Sequence, residues 1–226
     1  MKKDSFYNKY IKRLLDIILS LFAIVILFPV LLILAILVRI KLGSPIIFKQ
    51  KRPGKDEKIF TLYKFRTMTD EKDEDGNLLP DEKRLTKFGR FLRSTSLDEL
   101  PELFNIIEGS MSIVGPRPLL IKDMIFMTKE QRKRHEVRQG LTGLAQVNGR
   151  NNITWENKFD YDLLYIDNIS FSTDCKIILQ TVGKVFRRED TVREGTESDM
   201  DLGDYLLKEK KITEEEYDKI IESLVK

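Results

Sequence analysis

Residues 17–38, IILSLFAIVILFPVLLILAILV, are almost unbroken in apolar character. A helix of that length suffices to span a bilayer. No small-residue cleavage site follows the run, and it is long for a signal peptide. Two features complicate a simple crossing. Both flanks are basic, with Lys12 and Arg13 before the run and Arg39 and Lys41 after it. The positive-inside rule is then satisfied only if both ends face the cytoplasm. Pro29 also sits inside the run, where it removes a backbone donor and bends a helix. A bent, re-entrant helical hairpin dipping into one leaflet accounts for both features. A kinked transmembrane helix is the rival, since membranes tolerate proline kinks. The residues alone leave both readings open.

The remaining chain is long enough for one domain with a sizeable core plus appendages. Its formal charge of +3 is unevenly spread: residues 191–226 carry a net −5 and residues 1–190 a net +8. A basic body beside an apolar segment suits an anionic lipid surface or a phosphorylated ligand. No stripe of alternating basic and aromatic residues supports a nucleic-acid partner. The single cysteine, Cys175, allows no internal disulfide, and the single histidine, His135, leaves a structural zinc site without a ligand set. His135 lies in the charged run Gln131-Arg-Lys-Arg-His-Glu136 and is expected on a solvated helix face. Asn152-Ile-Thr154 and Asn168-Ile-Ser170 match glycosylation acceptors but carry no meaning in a cytoplasmic body.

Along the chain, Ile46–Gln50 and Ile59–Phe65 read as short strands around the turn Arg52-Pro-Gly-Lys55, and the acidic stretch 69–83 as a loop. Arg84–Arg93 is a basic helical run, and Ser110–Val114 a strand leading into the rigid turn Gly115-Pro-Arg-Pro118. A charged helix capped by Thr128 runs to about Val137. Gln139–Gly143 reads as a loop, Leu144–Val147 as a strand, and Asn148–Asn151 as a turn. Trp155–Ile166 and Thr173–Arg187 read as helices. The second has the basic and apolar faces of a helix lying either on a membrane or on the core. From about Thr191 the composition shifts to an acidic tail of two short helices, the second capped by Thr213, a form suited to association.

The chemistry is best placed at Leu92–Ile107. Leu100, Leu103, Phe104 and Ile107 mark one face of a helix, and Pro101 suits its first turn. Asp98 and Glu99 therefore lie at or near a helix N-terminus, where negative charge is favoured. Ser96-Leu-Asp-Glu99 also matches a capping box, which on this stretch alone is the plainer reading.

Five ordered motifs shift the balance. Ser44-Pro-Ile-Ile-Phe-Lys-Gln-Lys-Arg-Pro-Gly54, Phe60-Thr-Leu-Tyr-Lys-Phe-Arg-Thr-Met68, Thr95-Ser-Leu-Asp-Glu-Leu-Pro101, Val114-Gly-Pro-Arg-Pro118 and Gly140-Leu-Thr-Gly-Leu-Ala-Gln-Val-Asn-Gly-Arg-Asn151 together resemble the bacterial sugar transferases. More narrowly, the chain looks like a small monotopic phosphoglycosyl transferase over roughly residues 10–190. The resemblance implies transfer of a phosphosugar from a UDP-sugar to polyprenyl phosphate, with release of UMP, as a first step of surface glycan assembly. It implies the cytoplasmic face of the bacterial inner membrane and a re-entrant helix broken at Pro29. By position it makes Asp98 the nucleophile and Glu99 its companion acid, and it sets Lys64, Arg93, Arg117 and Arg150 around the phosphates. The chain departs from the pattern at Phe28, Ser110 and Leu144, where serine, aspartate and tryptophan are common.

The expected fold is α+β, mostly helical with short strands. Residues 1–43 form the membrane segment, 44–190 a compact cytoplasmic catalytic domain and 191–226 a helical appendage, with homo-oligomerisation a role that appendage could serve. A carboxylate attacking a diphosphate needs charge neutralisation, so Mg²⁺ held by Asp98 and Glu99 is expected. Two other functions stay open: a membrane-anchored adaptor with Ser96–Glu99 as a mere cap, and a membrane phosphohydrolase using water as acceptor.

Overall fold

The computed structural model describes residues 5–149, 153–187 and 200–222. Its N-terminal helix α1 runs Lys12–Leu42, and Pro29 lies inside it without ending it. Both halves of α1 rest on the same body. Arg13 donates to the carbonyls of Ile106 and Ile107 at 2.5 and 2.8 Å, and the backbone N–H of Ile113 donates to Asp16 at 3.0 Å. Past Pro29, Leu34, Val38 and Leu42 pack on Phe65 and Leu92. The opposite face stays open: Leu14, Ile18, Val25, Ile26, Ile33 and Ile40 are all exposed. This helix is long and apolar enough to cross a membrane.

Strands β1 (Ile47–Pro53) and β2 (Ile59–Phe65) form an antiparallel hairpin in which Ile47 pairs with Phe65 and Pro53 with Ile59. Two helices follow, α2 (Asp81–Arg84) and α3 (Lys87–Ser94), then a 3₁₀ turn at Leu97–Glu99 and α4 (Glu102–Glu108). Thr86 caps α3 by accepting from Gly89 N–H at 3.0 Å. Strand β3 (Met111–Val114) pairs in parallel with β4 (Gln139–Thr142). Between them lie α5 (Ile121–Ile125) and α6 (Lys129–Arg132), and after them α7 (Leu144–Val147), α8 (Trp155–Asp167) and α9 (Phe171–Arg187). Helices α10 (Leu202–Lys208) and α11 (Glu214–Glu222) pack over Phe126, Trp155 and Phe159, with Leu202 buried among them.

Three expectations fail here. Gln139–Gly143 is no loop: Gln139–Thr142 form β4. A Cβ on Gly140 would overlap the Gly115 backbone, so the glycine serves a close strand approach rather than a turn. The strand expected at Leu144–Val147 is instead α7. Its apolar side chains meet the core through Ala145 and Val147, a spacing too short for periodicity to separate helix from strand. His135 is also not on a solvated face; it is 1% exposed, beside a wholly buried Arg134. The run looks exposed because Arg134's partner, Asp162, lies on a different helix.

Candidate active site

The chain turns sharply at Ser96, whose φ of 55° is left-handed. That bend presents the 3₁₀ turn carrying Asp98 and Glu99 against β2 and the β3 exit. Ser96 makes no side-chain cap hydrogen bond, so the capping-box reading does not hold. Glu99 faces two cations instead. Lys64 Nζ, from β2, donates to Glu99 Oε1 at 2.8 Å, and Arg117 Nη2, from the Gly115–Pro118 turn, donates to the same oxygen at 2.5 Å. Arg93, at the end of α3, donates through Nε to Thr67 Oγ1 at 3.0 Å and lends positive charge to Asp98. Asp98, Glu99, Lys64, Arg93 and Arg117 therefore converge. Arg150 lies outside the described residues.

Glu102 was not singled out from sequence, where it reads as a polar position in the first turn of α4. It is 2% exposed and sits 3.2 Å from Lys64. Its only sequence signal was a third acid within four residues of the pair. Burial, opposed chiefly by Lys64, pushes its carboxyl up to about 7. Asp98 is pushed up to about 6, first by burial and then by the charge of Glu99. Burial works against the Lys64 ammonium, but Glu99 and Glu102 outweigh it and hold its pKa above the usual lysine value. Arg117 is likewise raised, first by Glu99. Arg52 was also missed. It donates to the Pro118 carbonyl at 3.4 Å, and burial followed by the charge of Arg117 lowers it to about 10.

Supporting groups fix the Arg117 turn from behind. Arg134, paired to Asp162 at 2.8 Å, donates Nη2 to the Arg117 carbonyl at 2.6 Å. The Tyr165 hydroxyl lies 3.1 Å from Val114 O and 2.9 Å from Asp174 Oδ1 and shares its single hydrogen between these acceptors. Asp174 also accepts from Tyr7 and Lys12 at 2.8 and 2.6 Å, so a buried network links the foot of α1 to the strand that aims Arg117.

Among the described residues, no group of three or more His, Cys, Asp or Glu side chains is arranged as a metal cage. A cation that takes one or two carboxylates and fills its shell with water and phosphate oxygens needs no such cage. Asp98 and Glu99 supply that hard-oxygen donor set.

A family described as bacterial sugar transferase matches residues 7–188. An uncharacterized sugar transferase of Bacillus subtilis, EpsL, is 54% identical over 79% of this chain and 89% of its own length. The UDP-glucose:undecaprenyl-phosphate glucose-1-phosphate transferase of Klebsiella pneumoniae is 42% identical, over 79% of this chain and 41% of its own. The undecaprenyl-phosphate galactose phosphotransferase of Salmonella typhimurium is 33% identical, over 80% of this chain and 42% of its own. The chain thus spans about two fifths of the length of these last two relatives.

Proposed function

Because this chain belongs to the bacterial sugar transferase family, we propose that it moves a phosphosugar from a UDP-sugar to a polyprenyl phosphate, through a covalent intermediate on Asp98. The observation that carries this reading is a buried Asp98–Glu99 pair faced by Lys64, Arg93 and Arg117. Two similar proteins are named for sugar-phosphate transfer to undecaprenyl phosphate, which is the acceptor class proposed here.

Asp98 attacks the β-phosphorus of the UDP-sugar. The bond from that phosphorus to the oxygen bridging the two phosphates breaks, and UMP departs with the electron pair. An acyl-phosphate joins Asp98 to the phosphosugar, splitting one difficult transfer into two. A phosphate oxygen of the acceptor then attacks the same phosphorus, the bond to Asp98 breaks, and the carboxylate is restored beside a polyprenyl diphosphate sugar. Burial suits Asp98 to this work: at about 6 its carboxyl is more basic than a solvated one yet ionised at neutral pH. Arg117 and Arg93 offer planar, charge-assisted donors to phosphate oxygens. Lys64 and Arg117 set two positive charges against one Glu99 oxygen. Asp98 and Glu99 would hold Mg²⁺, which supplies neutralisation of the diphosphate charge when bound.

The form of α1 supports a membrane seat. Its two halves rest on one body while an apolar strip faces outward along its whole length. A re-entrant seat in one leaflet, with the catalytic body at the cytoplasmic face of the inner membrane, brings the site to the headgroup level where a lipid phosphate lies. Residues 44–190 then form the catalytic domain.

The test measures UMP release from UDP-glucose and UDP-galactose with and without undecaprenyl phosphate, and with Mg²⁺ or a chelator. Lipid- and Mg²⁺-dependent turnover is expected. UMP released catalytically without lipid points to a phosphohydrolase, and none under any condition to an adaptor.

A further inference from the structure

Beside the acidic pair lies an open groove with a volume of about 240 Å³. One wall is the α9 face Ile178, Val182 and Val185; facing it are Leu100, Ile113 and Leu141. Glu99 belongs to the same lining, so the groove reaches the acid that Lys64 and Arg117 contact. Val182 and Val185 line it and are also 48% and 44% exposed, so its outer side reaches the surface along α9, where Leu179 and Phe171 are exposed as well.

We propose that this groove seats the first isoprene units of the polyprenyl phosphate, holding its phosphate at the Glu99–Arg117–Lys64 cluster. This rests on the transferase reading above. The polarity of the lining selects the occupant. Its walls are mostly apolar, while Glu99 within them meets Lys64 and Arg117, and Lys184 adds a further cation. An anionic head with a linear, methyl-bearing apolar tail matches that polarity. A uracil is the rival occupant that competition by UMP tests: Thr142 and Thr181 bond each other at 2.6 Å and one Gln146 amide hydrogen goes to Leu141 O at 3.0 Å, but the buried Gln146 Oε1 has no partner among the described residues.

The test uses the full chain in detergent micelles and a three-isoprene phosphate carrying a diazirine at its far end. Photolysis should label Leu141, Ile178 or Val182. Excess undecaprenyl phosphate should suppress the labelling, and UMP should not. Val182→Asp, which sets an unpaired carboxylate in the groove, should raise KM for undecaprenyl phosphate by about tenfold or more and leave KM for the UDP-sugar unmoved. Leu179→Asp is the control: it lies on the same helix, 73% exposed and outside the lining. It should leave both constants within about twofold. Labels confined to the outer face of α1, competition by UMP, or equal effects of the two aspartates would each overturn the groove assignment. Groove labelling in a chain that releases no UMP would instead contradict the transferase reading and leave the isoprenyl-phosphate site standing.

Discussion

Arg134 donates Nη2 to the backbone carbonyl of Arg117 at 2.6 Å while pairing with Asp162, and its side chain is wholly buried. The pair therefore anchors the turn that carries Arg117. Arg134→Met should cost about 3–5 kcal/mol of stability by stranding the buried Asp162 carboxylate. The double variant Arg134→Met/Asp162→Leu should recover most of that loss in thermal unfolding, yet remain impaired in kcat/KM for UMP release. Full recovery of both would show that the guanidinium does not position Arg117.

Arg117 approaches Glu99 from the stiff Gly115–Pro118 turn. Lysine keeps the charge but lacks the planar fork. Arg117→Lys should therefore lose on the order of 1–3 kcal/mol of transition-state stabilisation, read as a lower kcat/KM with little change in melting temperature. A lysine variant with wild-type kcat/KM would reduce this arginine to a generic charge.

Activity and stability should respond oppositely to acid. Asp98 and Glu102 have carboxyl pKa values raised to about 6 and about 7 by burial. The folded state thus holds protons that the unfolded chain has released, and stability from these groups is lost as pH rises through those values. Attack by Asp98, as proposed, needs its ionised form, so kcat/KM should fall as pH drops below about 6. Glu102→Gln removes one of these titrations. Parallel denaturation series should show its stability less sensitive to pH between about 4.5 and 7, with the gain over wild type at alkaline pH. An unchanged pH slope would mean that Glu102 titrates normally.

The seat of α1 makes a topological prediction. In a Cys175→Ser background, cysteines introduced as Lys2→Cys and Ser44→Cys should both resist an impermeant reagent in intact cells and both react after permeabilisation. Labelling of position 2 from outside would mean that α1 crosses the membrane.

Much of this was legible because local rules were enough. The apolar run became α1, the short apolar stretches became the β1–β2 hairpin, and two adjacent acids before a helix that starts at Pro101 became a buried turn faced by Lys64, Arg93 and Arg117. What escaped depends on partners distant in sequence. Gly140 looked like a turn residue because nothing nearby announces that its strand must approach Gly115. Arg134 and His135 looked solvated because Asp162 arrives from α8. Glu102 looked like an ordinary first-turn acid because Lys64, which draws it inward, lies on β2. The charges that tie α1 to the body, Lys12 and Asp16, flanked the apolar run in plain view, but their partners are Asp174 and the Ile113 backbone.

Covalent transfer through Asp98 is tested most directly by incubating the wild-type chain with UDP-sugar and Mg²⁺ in the absence of lipid. The account predicts UMP released in amounts matching enzyme and a phosphosugar adduct mapping to Asp98 by mass spectrometry. It also predicts that Asp98→Asn forms no adduct and no product while keeping its fold, since an amide is a poor nucleophile. UMP that appears only when both substrates are present, with no adduct on Asp98, would contradict it.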